Sequence, residues 1–470
     1  MLAWLTATLL AQTLTPAEMP PQSVEKIVGQ QVRPLPGQLD SVPVLNSNSP
    51  ELVGEPGILL STFPPEGMAV PEAHLNFPLE GRFDVFAHHV YKVEASEALD
   101  SLYLGVLIHN PSAEPVTVRV LTGASYLSQP DAPFIQLPDF VAFGPRNPVF
   151  AGPGSRVMGD ILQGRRQEIF PAVLTVAPGK SELLLNQPIP VRELEPPING
   201  RSTLVQLESS GPVYVASLAQ MATTDLAGNE APPDLASWQS LLRGGGLAGP
   251  RDRIPTPLPI TNGEQLIYGR VAGVSEGSQW QATLTDSGNA EITADPRLTI
   301  PAAGEAFSYG VSLLYGGTMG TDQVQSAPML VRYLDTAYQA HGNYGVRYSL
   351  TLPLYNPADT AQTVSVALQT ALKEDQLSQD GLRFLEPPAA QTFFRGPVQV
   401  RYRSDSGLPQ VGNIHLVQRR GQQAEPLATV MIAPLSTRTV SIDLLYPPDA
   451  TPPQVLTVKT AALPGEASPR

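Results

Sequence analysis

The chain contains one strand–turn–strand phrase twice, and both copies turn at Asn-Pro. The first copy is Leu104–Thr122, LGVLIHNPSAEPVTVRVLT, and the second is Leu350–Leu368, LTLPLYNPADTAQTVSVAL. Six of the 19 aligned positions are identical. Each copy has an apolar run, a polar turn and a strict alternation, a pattern typical of β-strands. The repeat therefore predicts a duplicated β-sandwich and not an enzyme with one catalytic core.

A second pair of segments lies downstream of the repeat. Val173–Leu185 and Thr429–Leu444 share a strand, an Ala-Pro step and another strand. Their offset of 256 residues differs by ten from the offset of 246 between the Asn-Pro copies, which indicates a loop insertion. The phrase at Gly211 follows the Ala-Pro step, whereas the related phrase at Gly396 precedes it, so the halves have diverged.

The composition restricts the class of fold and of partner. The chain has 470 residues, 50 of them proline, and proline is tolerated at strand ends and turns but not inside helices. The absence of cysteine excludes disulfides, cysteine-ligated metals and thiol nucleophiles. The net charge of −14 disfavours nucleic acid and anionic membrane surfaces as partners.

We predict a mainly β fold with two immunoglobulin-like or related β-sandwich domains, an N-terminal extended arm and one short inter-domain helix. The helix is expected over Asp234–Arg243, whose apolar residues have helical spacing and whose Asp234 can cap the first turn. The predicted divisions are a signal peptide at 1–11, the arm at 12–70, a first sandwich at 71–230, the helix and linker at 231–263, a second sandwich at 264–450, and a flexible tail at 451–470.

Three segments predict β-hairpins. They are Ser101–Thr122, Ala172–Leu185 with a turn at Pro178-Gly179, and Ser202–Ala219 with a turn at Ser210-Gly211-Pro212.

The N-terminus indicates export. Met1–Ala11 is apolar, has no acidic residue, and is followed by a Pro-rich stretch, as in a secretory signal peptide. It lacks a basic residue before the apolar run, and the alternative is an N-terminal strand or a disordered tail. No other segment approaches 18 consecutive apolar residues, so we expect no transmembrane segment in the mature chain. The predicted location is the periplasm or the cell surface.

Several long phrases carry a family resemblance. RPLPGQLDSVPVLNSNSPEL, GILLSTFPPEGMAVPEAHLNFPLEGRFDVFAHH, SYLSQPDAPFI, PPINGRSTL, GPVYVASLA and LAGPRDRIPTP resemble a family of exported cyanobacterial proteins with a domain of unknown function. The resemblance covers nearly the whole mature chain. It implies export and an envelope setting, and it implies no activity, cofactor or catalytic residue.

Motifs of catalysis and of metal binding are absent from the sequence. There is no G-x-S-x-G, no H-E-x-x-H, no phosphate-binding loop and no EF-hand loop. His88 and His89 are adjacent and would point to opposite faces of a strand. His109 occupies the same repeat position as Tyr355, which indicates a structural role. We therefore predict no catalytic residue, no metal and no cofactor, although distant carboxylates could still meet in space.

One segment has an unusual local charge. Gly144–Phe170 carries four arginines against Asp160 and Glu168, a local charge of +2 in an acidic chain. It is rich in glycine and proline, which predicts a long loop. Arginine pairs bidentately with carboxylate, sulfate or phosphate. The candidate ligand-binding residues are Arg146, Arg156, Arg165 and Arg166; the alternative is that these arginines pair internally and hold the loop in place.

The sequence thus predicts an exported, non-catalytic structural or binding protein of the bacterial cell envelope. The expected partners are an anionic polysaccharide or another envelope protein. The alternatives are an enzyme that acts on polysaccharide and a subunit of an envelope assembly or appendage. The oligomeric state stays open.

Overall fold

The computed structural model describes residues 22–94, 99–144, 147–260, 265–287 and 296–462. Within these ranges there are 28 β-strands and two α-helices, so the prediction of a mainly β fold is confirmed. The strands form several sheets, the largest with twelve, seven and five strands. The signal peptide predicted at 1–11 lies outside the described residues.

The elements follow in chain order. The strands are β1 Val24–Gly29, β2 Gln31–Arg33, β3 Pro43–Ser47, β4 Leu52–Val53, β5 Gly57–Ser61, β6 Leu79–Lys92, β7 Leu102–His109, β8 Val116–Leu127, β9 Phe140–Phe143, β10 Val173–Val176, β11 Ser181–Ile189, β12 Ile198–Met221, β13 Thr223–Thr224, β14 Glu230–Ala231, β15 Ala272–Glu276, β16 Gln279–Thr283, β17 Leu298–Thr299, β18 Ala306–Val311, β19 Ala327–Arg332, β20 Gln339–Ala340, β21 Arg347–Tyr355, β22 Gln362–Gln369, β23 Gly381–Glu386, β24 Thr392–Arg403, β25 Pro409–Arg419, β26 Ala428–Ile432, β27 Thr437–Leu445 and β28 Gln454–Thr460. The helices are α1 Pro153–Leu162 and α2 Leu235–Gly244, and Pro71–Ala73 forms a 3-10 turn.

Both copies of the repeated phrase fold as arches and not as hairpins. In the first copy β7 pairs with β11 and β12, whereas β8 pairs with β10 and with an earlier part of β12. In the second copy β21 lies in the seven-stranded sheet and β22 in the five-stranded sheet. The hairpin predicted at Ser101–Thr122 is therefore wrong. Apolar side chains of β7 and β8 enter one core from opposite sides, which requires the strands to face each other.

The other two predicted hairpins are wrong for related reasons. β10 and β11 pair with β8 and β7 respectively, so the Ala-Pro step at Ala177 is a second arch beside the first. β12 is one strand of 24 residues that passes through Ser210-Gly211-Pro212 without reversing. Its register shifts between Ser209 and Val213, where its partners change from β6 and β8 to β5 and β7. A bend of this kind lets one strand serve two sheets.

A buried asparagine side chain holds the first Asn-Pro corner together. Asn110 is 0 % exposed. Its Nδ2 donates to the carbonyl oxygens of Glu114 at 2.7 Å and Val176 at 3.0 Å, and its Oδ1 accepts from the amide of Ser112 at 2.8 Å. The bond to Val176 reaches the end of β10, so the side chain ties the Asn-Pro arch to the Ala-Pro arch.

The second half repeats these three bonds and adds one from Asn356 Nδ2 to the carbonyl oxygen of Ala433 at 3.2 Å. Asn356 is also 0 % exposed, and its Nδ2 donates to the carbonyl oxygens of Thr360 and Ile432 at 2.8 and 3.0 Å. Its Oδ1 accepts from the amide of Ala358 at 3.0 Å. The two corners are related by the same offsets, 246 and 256 residues, that the sequence pattern shows.

Strands cross between the two halves of the chain. The N-terminal arm supplies β1 to β23, β2 to β18, β3 to β6 and β5 to β12. β9 pairs with β25, and β15 pairs with β3. Sheets therefore contain strands from both sides of the predicted linker, and the division into two sandwich domains stays a prediction.

The helices and the C-terminal segment differ in part from expectation. α2 coincides with the predicted helix, and the Asp234 side chain accepts from the Ser237 amide as expected of a cap. α1 is a second helix where a loop is predicted. The tail predicted from residue 451 contains β28, a strand between β18 and β22 in the five-stranded sheet. Val455, Leu456 and Val458 are buried there, because they complete the core of that sheet.

The corner asparagines generate the first prediction. Asn110→Ala and Asn356→Ala each remove the side-chain donor to a buried carbonyl oxygen, that of Val176 or Ile432, and to the part-buried carbonyl of the turn. We expect each to lower the free energy of unfolding by about 2–4 kcal/mol. Urea denaturation measures this change. Asn229→Ala, in an exposed turn with Asp225, is the matched control, and a midpoint for Asn110→Ala equal to that of the control would contradict the prediction.

Candidate functional site

The segment predicted as an arginine-rich loop contains α1. The prediction of a continuous loop at Gly144–Phe170 is wrong, because Val157, Met158, Ile161 and Leu162 form an apolar helical face that is buried. This face packs against residues of β6, β8, β12 and β27, so α1 is wedged between sheets. The spacing of these four residues is the sequence signal for the helix.

The structure gives each described arginine of this segment intramolecular partners. The Arg156 guanidinium lies 4.0 Å from the ring centroid of Tyr126 and donates to the carbonyl of Asp131. Arg165 donates to Asp160 at 3.0 Å. Arg166 donates to the backbone carbonyl of Phe170. Arg146 lies outside the described residues.

Two of these arginines belong to one network. The Tyr126 hydroxyl donates to Asp160 at 2.6 Å, and the Asp160 carboxylate also pairs with Arg165. Because Arg156 lies over the Tyr126 ring, Tyr126 and Asp160 connect Arg156 to Arg165. Arg166 has no bond to this network within the described residues. These contacts match the alternative in which the arginines hold the segment in place, and a ligand-binding role for them stays a prediction.

A buried carboxyl group lies at the N-terminus of α1. A Cβ atom at Gly152 or Gly154 would lie 3.0 Å from Asp449 Oδ2, so glycine is needed for the close approach. Burial raises the pKa of Asp449 to about 7, against the attraction of Arg395 and a hydrogen bond from the Ser155 amide. The positive end of the helix dipole also favours the ionised form here.

The adjacent histidines are structural. His89 Nδ1 donates to the carbonyl of Pro50 at 2.8 Å, and His89 Nε2 is hydrogen-bonded to the Ser47 hydroxyl at 2.9 Å. His88 Nδ1 is bonded to the Ser202 hydroxyl at 2.7 Å. Burial lowers the pKa of each to about 4, so both are neutral at pH 7. Within the described residues no group of three or more His, Cys, Asp or Glu side chains could hold a metal ion.

A pocket of about 410 Å³ lies beside the first Asn-Pro corner, between the N-terminal arm and α2. We call it the corner pocket. Phe63 lines it, and its ring centroid lies 5.5 Å from that of His109 and 5.7 Å from that of Tyr214. Met68 and Leu242 add apolar surface. Three ring faces therefore line one concave site.

Polar groups from three elements complete the corner pocket. Gln239 and Arg243 of α2 line it, and Arg243 is exposed. Its guanidinium has no hydrogen bond or ion pair within the described part of the chain. The Ser181 hydroxyl is hydrogen-bonded to His109 Nδ1 at 3.0 Å. Burial lowers the pKa of His109, so the ring is neutral at pH 7.

A close contact between α2 and β7 positions these side chains. Trp238 is 0 % exposed, and a Cβ atom at Gly105 would lie 2.8 Å from Trp238 Cε2. The indole therefore packs directly on the backbone of β7 and fixes the axis of α2. Gln239 and Arg243 are four residues apart, one helical turn, and so face the pocket together.

The corresponding position in the second half has different neighbours. His109 corresponds to Tyr355 in the repeat, but β17 pairs with β21 at Tyr355. The Arg297 guanidinium also lies 4.5 Å from the ring centroid of Tyr355. His109 thus has a structural bond, as predicted from the repeat, and in addition lines the corner pocket.

Sequence reasoning missed Phe63, Tyr214, Gln239 and Arg243. They come from the arm, β12 and α2, and up to 180 residues separate them along the chain. No local motif marks them. The one available signal was the replacement of Tyr by His in the repeat, and it favoured a structural reading.

The comparisons with known proteins identify a family. The model of the family described as "Protein of unknown function (DUF3370)" matches residues 30–460. No curated protein matches the chain. Among solved structures, procruciferin, an 11S globulin from Brassica napus, is similar at 12 % identity over 87 % of this chain and 85 % of that chain, with a TM-score of 0.10. A likeness this low carries no argument. Neither described α-helix has the length and apolar character to cross a membrane.

The raised pKa of Asp449 generates the second prediction. The folded state holds this proton more tightly than the unfolded state, so the stabilising contribution is present below about pH 4 and is lost as pH rises through 7. The wild type should therefore lose stability relative to Asp449→Asn between pH 5 and pH 8. Urea denaturation at both pH values measures this difference between the two proteins.

The comparison is made between variants because buried histidines with lowered pKa values act in the opposite direction. Asp405→Asn is the matched control, since Asp405 is exposed and the Arg438 side chain lowers its pKa. If the difference between wild type and Asp449→Asn is the same at both pH values, the prediction is wrong.

Proposed function

The chain belongs to the DUF3370 family of unknown function, and from this premise we propose that it is a non-catalytic binding protein of the bacterial cell envelope. Its ligand is a ring-shaped polar molecule with an acidic group, such as a uronic acid unit of an envelope polysaccharide. The observation that carries the proposal is the corner pocket, where ring faces and unpaired polar groups converge.

The apolar part of the pocket suits the faces of sugar rings. Binding pockets for small molecules combine aromatic surface with a few placed polar groups. The rings of Phe63, His109 and Tyr214 supply that surface at centroid separations of 5.5 and 5.7 Å. They come from different strands and a buried arm, so they are held in place before a ligand arrives, which reduces the entropy cost of binding.

The polar part of the pocket suits an acidic group. The Arg243 guanidinium can donate two parallel hydrogen bonds to a carboxylate. Gln239, one turn earlier, offers both a donor and an acceptor to hydroxyl groups. The net charge of −14 repels anions over the whole surface, so an anionic ligand needs a local cation of this kind.

The lining of the pocket favours binding over catalysis. Glycoside cleavage commonly uses two facing carboxylates, and no described residue that lines the pocket has one. The hydrogen bond between Ser181 and His109 joins a possible nucleophile to a possible base. No carboxylate orients that imidazole within the described residues, so we assign the pair to holding the pocket wall.

The envelope location and the arginine segment remain parts of the proposal. Export rests on the apolar segment Met1–Ala11 and the Pro-rich stretch after it. Arg165 and Arg166 form a second candidate contact for an anionic polymer, because their guanidinium groups keep donors beyond the internal bonds described above.

The pocket generates the third prediction. Saturation-transfer NMR with galacturonic acid should show contact between the sugar ring protons and the protein. Arg243→Ala removes the bidentate partner of the carboxylate and should weaken binding about tenfold. His109→Ala removes one ring face and should weaken binding of galacturonic acid and galactose alike.

The controls separate the pocket from other cationic groups. Arg119→Ala is matched to Arg243→Ala, because Arg119 is exposed and its partner Glu208 lies away from the pocket lining. Arg165→Glu/Arg166→Glu tests the arginine segment in the same assay.

Transfer signals of equal strength for wild type and Arg243→Ala would contradict the assignment of the binding site to the corner pocket. A loss of signal confined to the Arg165/Arg166 variant would assign the site to the arginine segment instead. Release of reducing sugar that depends on Ser181 would overturn the non-catalytic proposal.

A further inference from the structure

The seven-stranded sheet has one apolar side and one polar side. Tyr348, Leu350, Val398 and Ile442 point into the core from its inner side. The register aligns the outward side chains in rows across the strands. The first row is Gln281, Ser349, Asp443, Gln399 and Asn413. The second row is Thr283, Thr351, Ser441, Arg401 and Val411. We call these two rows the polar face.

The polar face is open along most of its length. Gln281 and Arg401 are exposed, and Thr351, Ser441 and Gln399 are half-buried. α1 covers the adjoining end of the sheet, where Leu445 belongs to the cluster around the helix. The helix therefore borders one end of the polar face and leaves the rest of it uncovered.

Arg347 lies on the same side of the sheet as Ser349, in the row beside the first, and with it the polar face carries a positive charge although the chain is acidic. Asp443 is the carboxylate of the two rows, and its side chain is 2 % exposed. It accepts from Arg347 at 2.9 Å, from Ser349 at 2.7 Å and from Arg401. Because one carboxylate serves two guanidinium groups, one positive charge remains, and the Arg347 and Arg401 side chains are 33 % and 47 % exposed.

We propose that the polar face binds a linear acidic polysaccharide that lies across the strands. The first row places an amide, hydroxyl or carboxylate side chain on each of five adjacent strands, over roughly 19 Å at about 4.8 Å per strand. A linear chain of sugar rings would meet a first-row donor or acceptor on four of these strands, and on β27 it would meet Ser441 of the second row, because Asp443 is buried. The excess guanidinium charge selects polymers with carboxylates over neutral ones. The polar face shares no residue with the corner pocket and does not depend on it.

The experiment is affinity electrophoresis of the whole chain through gels with polygalacturonate, with neutral dextran as the parallel arm. The wild type should be retarded by polygalacturonate, less so at high salt, and not by dextran. Arg401→Ala and Gln281→Glu should each weaken retardation about tenfold. The second variant adds a negative charge at an exposed position and so leaves the internal bonds of Asp443 intact.

Matched controls assign the result to one surface. Arg192→Ala also removes an exposed arginine from carboxylate partners, and Gln423→Glu places the same new charge at another exposed glutamine. Both should be retarded like the wild type. Arg243→Ala runs beside them to measure any contribution of the corner pocket. No retardation of the wild type, equal retardation of all variants, or equal retardation by dextran would overturn the inference. A loss confined to Arg243→Ala would overturn it in favour of the corner pocket.

Discussion

A buried side-chain amide at each Asn-Pro corner is the interaction on which the rest of the fold depends. A chain that crosses from one sheet to the facing sheet leaves its ladder of backbone hydrogen bonds, and buried carbonyl groups then need other donors. The Nδ2 atoms of Asn110 and Asn356 supply these donors, and each reaches the carbonyl of a neighbouring strand, at Val176 and Ile432. One side chain therefore closes its own arch and fixes the arch beside it.

The arches explain why the strands interleave along the whole chain. Since consecutive strands face each other across a core, their sheet neighbours must come from elsewhere in the sequence. β12 supplies two sheets by bending at Gly211, and the arm supplies strands to both halves. The corner pocket follows from this interleaving, because the arm, β7, β12 and α2 meet only once all of them are in place.

The sequence predicts local secondary structure here better than it predicts which strands pair with each other. The mainly β fold, the capped helix at α2 and the paired corners all follow from short-range spacing, and they agree with the structure. The hairpins fail because an apolar strand, a turn and a second strand describe an arch equally well. α1 was missed because glycine, proline and arginine around Val157 and Ile161 outweighed their helical spacing. The pocket residues were missed because no short segment contains two of the elements that carry them.

The arginines show why sequence density is a poor measure of available charge. Arg156, Arg165 and Arg166 cluster in the chain, yet rings, a carboxylate and backbone carbonyls engage them. Arg243 is isolated in the sequence, whereas Arg401 lies two residues from Arg403. Within the described residues the fold leaves Arg243 unpaired, and Arg401 shares one carboxylate with Arg347. Pairing depends on which strands become neighbours, and here the neighbours come from distant segments. The cationic positions available to a ligand are therefore set by the interleaving of strands, the same constraint that the corner asparagines impose.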